Sequence, residues 1–152
     1  MNGLLVALDQ FTKNAIVTRF HLGDSMAVIT GFFNVTRVHN SGAAFGLLAT
    51  LSPEWREPFF FLVPGATLAV ILFVFTRLRD VQSLSIYGLA MIVGGALGNL
   101  ADRLRLGFVV DFLDFHWNGG WHFPAFNVAD TAISLGVALL LVGMLLEPPS
   151  AA

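Results

Sequence analysis

The chain has 152 residues, room for one domain, and of these 56% are hydrophobic and only 12% charged, where an ordinary soluble domain carries about 25% charged residues. With a mean hydropathy of +0.76 its solvent is a lipid bilayer. A net charge of −2 offers no basic surface to a nucleic-acid backbone, and the lack of cysteine removes disulfides, thiolate metal sites and cysteine nucleophiles together.

The stretch MNGLLVAL gives eight residues before Asp9, about 12 Å of helix. Continuing through Ile16 and Val17 carries Asp9 and Lys13 along. Residues 1–19 therefore read as a first helix whose beginning is missing or lies upstream. A cleavable signal peptide fits less well, because no basic stretch precedes the apolar one. From Phe20 to Glu57, β-branched and aromatic residues alternate with Gly, Asn and Ser, the composition of a small sheet or hairpin outside the membrane.

Charge-free runs mark the spans, since a bilayer core takes roughly 20 helical residues and excludes charge. One lies between Glu57 and Arg77, with Phe59, Phe60 and Phe61 facing lipid, and another between Asp80 and Asp102. A further run, counted from Ala125, reaches Glu147. Between the last two, Arg103 to Pro124 repeats the sheet-like composition, and Asn118-Gly119-Gly120 is a turn. Alternating spans put both sheet-like segments, with Trp55, Trp117 and Trp121, on one membrane face, as expected of interfacial tryptophans. Basic residues do not fix the orientation: Arg77 and Arg79 lie on one side, Lys13, Arg19, Arg37 and Arg56 on the other.

In so apolar a chain each ionisable residue near a span is a candidate for function. GNLADR and FNVADT repeat the pattern Asn-x-Ala-Asp, giving Asn99 with Asp102 and Asn127 with Asp130 on one face of each helix. Asp111 has apolar flanks that favour its neutral form, whereas Asp130 near a helix N-terminus is favoured as an anion. Two carboxyl groups in unlike surroundings suit acid and base roles, and a hairpin at HWNGGWHF would bring them together. Structural hydrogen bonding accounts for them equally well at this level.

Asp102 reads more simply as a partner of Arg103 or a cap, Asp114 as facing water, and Asp24 and Asp80 as loop residues. The histidines, His21, His39, His116 and His122, form no H-E-x-x-H and no helical i, i+3 or i, i+4 pair, so no helix-borne metal site is expected, and one assembled from distant His and Asp is a minor alternative. Ser41 lacks a rhomboid-like G-x-S-G context because His39 stands at the first glycine, and Leu100-Ala101-Asp102 is not the G-x-G-D of presenilin-like proteases. A non-catalytic transporter or assembly protein whose buried aspartates move protons or brace helices remains the rival reading.

Five stretches in order, LDQFTK at 8–13, NSGAAFG at 40–46, GGALGNLADR at 94–103, GFVVDF at 107–112 and FPAFNVADTAIS at 123–134, resemble the signature blocks of lipoprotein signal peptidase, signal peptidase II. The resemblance implies an all-α membrane protein of four transmembrane helices, both termini cytoplasmic, with a small periplasmic β-platform and a second, mobile helix or loop element over the site. It implies a single integral-membrane domain, residues 1–152, acting as a monomer in the bacterial inner membrane, multi-pass, with its site at the periplasmic face. The reaction implied is cleavage of a prolipoprotein on the amino side of its diacylglyceryl-modified cysteine, with no metal or organic cofactor. By matching motifs Asp111 and Asp130 take the catalytic positions. Asn99, Asp102, Arg103 and Asn127 match supporting residues, and Asp9, Lys13, Asn40 and Gly42 match others lining or bracing the site. The chain departs from the pattern in the short apolar stretch ahead of Asp9.

Overall fold

The computed structural model describes residues 2–41, 69, 83–118 and 120–146. In chain order these form α1 (Asn2–Arg19), β1 (Ser25–Ile29), β2 (Phe33–Asn40), α2 (Ser83–Leu106), β3 (Val109–Trp117), β4 (Trp121–His122) and α3 (Val128–Leu146). The strands make one antiparallel sheet in the order β1-β2-β3-β4.

The sheet is built where side-chain chemistry favours it. FNVTRVHN and VVDFLDFHW are rich in β-branched and aromatic residues and have no helical stripe. Gly31, with φ of 77°, turns β1 into β2, and Asn118, with φ of 47°, turns β3 towards β4; Asn is among the few residues that enter this region readily. The two turns are tied together by the Asn118 N–H donating to the Gly31 carbonyl at 2.8 Å. A bulge in β2 between Val35 and Val38 sets the register that places Val38 opposite Asp111.

Among the described residues, helices α2 and α3 make the most extensive helix contact, and α1 packs against α2. The α2–α3 seam is made of small residues. A Cβ on Gly136 would stand 2.6 Å from the Gly88 carbonyl oxygen, and one on Gly95 would collide with the Ala129 carbonyl oxygen. Close backbone approach of this kind is how helices associate where no water is expelled. Outward, Leu4, Phe11 and Leu145 are 77%, 72% and 85% exposed, while Asp9, Lys13, Asp102, Asp111 and Asn127 are buried. Apolar outside and polar inside is the arrangement of a protein solvated by lipid.

The fold differs from the sequence-based expectation. An all-α protein of four transmembrane helices is not what the described residues form: they hold three helices and a four-stranded antiparallel sheet, and one helix, over Leu84–Leu106, is long and apolar enough to cross a bilayer. Two physical causes account for the difference. The segment carrying Asp111 pairs as a central strand, so it belongs to the body of the fold. The last apolar run becomes helical only at Val128, where Asn127 and Asp130 cap it, so residues 125–127 of that run stay outside α3. The span expected between Glu57 and Arg77, with Phe59, Phe60 and Phe61, lies outside the described residues, as do Gly42, Trp55 and Asp80.

Candidate active site

Asp111 lies near the start of β3 and Asp130 in the first turn of α3, and the chain between them folds back along β3. The Phe123 N–H donates to the Phe115 carbonyl at 2.8 Å, and the Phe126 carbonyl accepts from the N–H groups of Phe112 and Leu113 at 3.0 and 2.9 Å. This return path sets Asn127 beside Asp111. Asn127 is also the N-cap of α3: its Oδ1 accepts the Asp130 N–H at 2.9 Å while its own N–H donates to Asp130 Oδ2 at 3.2 Å, a reciprocal capping box. The Asn127 amide Nδ2 donates to Asp111 Oδ1 at 2.7 Å. One buried residue therefore contacts both carboxylates.

The remaining oxygens are held by two other elements. Asn40, at the end of β2, donates from Nδ2 to Asp111 Oδ2 at 2.9 Å, and Asn99 of α2 donates from Nδ2 to Asp130 Oδ1 at 2.7 Å. Asn99 and Asn127 are themselves bonded, Nδ2 of Asn127 to Oδ1 of Asn99 at 3.2 Å. Among the described residues no Lys or Arg nitrogen comes within 4.0 Å of either carboxylate. Burial, and then the charge of Asp130, push the Asp111 carboxyl up to about 7, against the opposing hydrogen bonds from Asn40 and Asn127 and the charge of Lys13.

Behind this pair is a second polar cluster. Lys13 of α1 directs Nζ to Asp9 Oδ2 at 2.8 Å, Asp102 Oδ2 at 3.0 Å and Asn99 Oδ1 at 2.9 Å, so three acceptors meet its three N–H bonds. Asp9 Oδ1 accepts the Ala129 N–H at 3.0 Å, adding a carboxylate to the N-terminus of α3. Asp102 Oδ2 accepts the Val110 N–H at 3.1 Å, reaching across from the end of α2 to β3, next to Asp111.

Asp102 is thus paired with Lys13, and not with Arg103 as its neighbour in sequence had indicated. The Arg103 guanidinium donates to the Asn99 carbonyl at 3.4 Å, and its buried Nε has no partner among the described residues. Gln10 was missed by the sequence reading, although its Nε2 donates to Asp102 Oδ1 at 2.8 Å and to the Gly98 carbonyl at 3.2 Å. Position 10 follows Asp9 in LDQFTK, and an amide beside two charged residues on a helix was the available signal. Asp114 was expected to face water; it is 8% exposed and bonded to Asn34 and His122.

A family model described as Signal peptidase (SPase) II matches residues 1–146 of the chain. The chain belongs to the signal peptidase II family. A lipoprotein signal peptidase of Geobacter sulfurreducens is 52% identical over 142 residues, 93% of this chain and 87% of the relative. One of Burkholderia multivorans is 51% identical over 138 residues, 91% of this chain and 81% of the relative. Among solved structures, a bacterial membrane enzyme determined by the in meso method at 1.9 Å resolution superposes with a TM-score of 0.77 at 36% identity, covering 97% of this chain and 91% of the other. As a signal peptidase II the chain is an aspartic-type peptidase of prolipoprotein processing, and its place is the membrane.

Proposed function

We propose that Asp111 and Asp130 are the catalytic pair, cleaving the prolipoprotein signal peptide on the amino side of a diacylglyceryl-modified cysteine. The observation that carries this reading is the Asn127 bridge, which holds the buried Asp111 and half-buried Asp130 carboxylates together with neutral amides and, among the described residues, no ion-pair partner. In that setting one proton is retained at neutral pH, and the raised Asp111 carboxyl is the group suited to keep it. Asp130, at the N-terminus of α3 with both oxygens accepting N–H bonds, is the base.

Asp130 takes a proton from water as its oxygen attacks the scissile carbonyl, and Asp111 gives its proton to the carbonyl oxygen, forming a neutral tetrahedral diol. Collapse moves a proton to the leaving amine of the modified cysteine and leaves the signal peptide with a carboxyl terminus. Asn40 and Asn127 hold Asp111 in place; Asn99, with Lys13, Asp9 and Asp102 behind it, holds Asp130.

The enzyme works as a monomer in contact with membrane lipids, since one chain supplies both aspartates and their described amide partners. Its site faces the outer side of the bacterial inner membrane, where a lipid-anchored substrate is confined beside it and loses little further freedom on binding. Trp117 and Trp121, 68% and 63% exposed at the β3–β4 turn, suit that interface.

The test is turnover of a diacylglyceryl-modified prolipoprotein in liposomes, read by mass spectrometry of both products. The expected products are an N-terminal modified cysteine and a signal peptide carrying one oxygen from labelled water, with none from Asp111→Asn or Asp130→Asn. Full activity in either variant rejects the pair.

A further inference from the structure

A second group of titratable side chains lies on the opposite face of the sheet from Asp111. Side chains alternate along a strand, so Asp114 and His116 of β3 share the face that Asp111 does not. The β3–β4 register pairs His116 with His122, and directly opposed residues approach within about 5 Å. Asp114, His116 and His122 each offer a ligand atom, all within 4.8 Å of one another.

The individual contacts are those of donors gathered around a point. His122 Nδ1 stands 2.9 Å from Asp114 Oδ1, and His116 Nδ1 stands 3.9 Å from Asp114 Oδ2. Two ligands on a tetrahedral zinc ion at about 2.0–2.1 Å are about 3.3 Å apart, so these separations bracket the required value. The imidazoles are stacked, with centroids 5.0 Å apart and planes 16° from parallel. Asn34 Nδ2 donates to Asp114 Oδ2 at 3.1 Å, the outer-shell bond that fixes a ligating carboxylate.

One atom is left without a role by hydrogen bonding alone. His116 is only 7% exposed, and its buried Nδ1 has no hydrogen-bond partner among the described residues. A buried imidazole nitrogen with no partner loses its hydration and gains nothing in return. At 3.9 Å from Asp114 Oδ2, it is placed to serve as a ligand atom. His122, exposed at 49% of its side chain, provides the way in from solvent.

We infer that Asp114, His116 and His122 form a binding site for a divalent transition metal, Zn²⁺ in class, that joins β3 to β4. Two imidazoles and one carboxylate suit zinc, and three protein ligands leave a fourth position for water. The ion takes no part in peptide hydrolysis, because it binds on the other face of the sheet from Asp111. It cross-links the short β4 to the strand that carries Asp111.

The test uses the full chain in detergent, free of any histidine tag and stripped with chelator, titrated with Zn²⁺ and, as a spectroscopic probe, Co²⁺. The expected result is one ion per chain by equilibrium dialysis, visible d–d absorption from Co²⁺ in a low-symmetry nitrogen and oxygen site, and a Zn²⁺-dependent rise in Tm. His122→Gln, at an exposed position, and Asp114→Asn, which keeps the side chain's shape, should each weaken binding by about tenfold or more, the scale on which even outer-shell partners act. His21→Gln, in an exposed loop, should leave binding unchanged. Absence of stoichiometric binding overturns the site, as does affinity that survives in both His122→Gln and Asp114→Asn. None of these readouts depends on peptidase activity, so failure here is separate from failure of the aspartate pair.

Discussion

Two carboxylate groupings adjoin one another in this molecule, and they are held in opposite ways. Where α1 meets α2, Asp9 and Asp102 share the Lys13 ammonium, and each also accepts a backbone N–H. Where β3 meets α3, Asp111 and Asp130 are held by asparagine amides and the Asn127 N–H, with no ion-pair partner among the described residues. An ion pair sets a full opposing charge beside a carboxylate, whereas amides orient it with neutral groups. The first arrangement therefore suits bracing and the second suits moving a proton. Asn99 joins them, accepting from Lys13 and donating to Asp130.

The largest effect that would break this contrast is on turnover. Asp111→Asn and Asp130→Asn each keep the shape and hydrogen-bonding capacity of the side chain but remove the carboxyl. Each should lower kcat about 10²–10⁴-fold or more, with Tm nearly unchanged. A comparable loss of turnover from Asp9→Asn with Tm equally unchanged would erase the distinction between the groupings.

Next comes Lys13→Met, which replaces the ammonium by a side chain of similar length. It leaves Asp9 and Asp102 buried with no cation between them, and breaking a buried pair in this way costs about 3–5 kcal/mol. The measurement is the unfolding midpoint in detergent, with the folded yield alongside. A variant that loses activity while Tm is unchanged would move Lys13 out of the bracing group and into the reaction.

A smaller effect is expected at the α2–α3 seam. Gly95→Ala places a methyl against the Ala129 carbonyl, a backbone atom that cannot move aside alone. Overpacking of this kind costs about 1–3 kcal/mol. The two helices must separate, and the contacts of Asn99 with Asn127 and Asp130 lengthen with them. Turnover should fall along with Tm, because the seam serves both groupings; loss of Tm alone would mean that Asp130 is positioned by its own cap.

How far these relations were legible in the sequence depends on their range. Asn127 and Asp130 were visible as an i, i+3 pair near a helix start, and the capping box is the local structure that spacing makes. Asp111 was visible through its apolar flanks. The pairing of Asp102 with Lys13 was not, because the nearer Arg103 was an equally good partner and only the packing of α1 on α2 decides between them. The closeness of Asp114, His116 and His122 was not legible from helical spacings, and a site assembled from distant His and Asp had no pattern to name its members. On a strand the relevant spacing is i, i+2, which Asp114 and His116 satisfy, and the antiparallel pairing of β3 with β4 brings His122 opposite His116. The all-α expectation failed for a related reason: the sheet-like segments were legible from composition, but charge-free runs measure how much chain can lie in lipid and do not say where a cap starts the helix or that the sheet-like segments join into one four-stranded sheet.

The smallest effect, and the sharpest test of the second grouping, concerns Asn40. Its amide and that of Asn127 favour the ionised form of Asp111, opposing burial and the charge of Asp130, and the balance puts Asp111 at about 7. Asn40→Ala removes one opposing donor, so Asp111 keeps its proton to higher pH. With Asp111 as the acid, kcat/KM falls as pH rises through its pKa, and the variant moves that basic limb upward by about one unit, the size expected from one hydrogen bond to a charged group. Stability has the same sign. The folded carboxyl is raised above its ordinary value of 3.8, so its contribution is complete below that value and is lost as pH rises towards about 7. In Asn40→Ala the loss should extend to higher pH. A basic limb that moves downward, or does not move while Asp111 remains in place, would show that the proton governing turnover is not the one on Asp111.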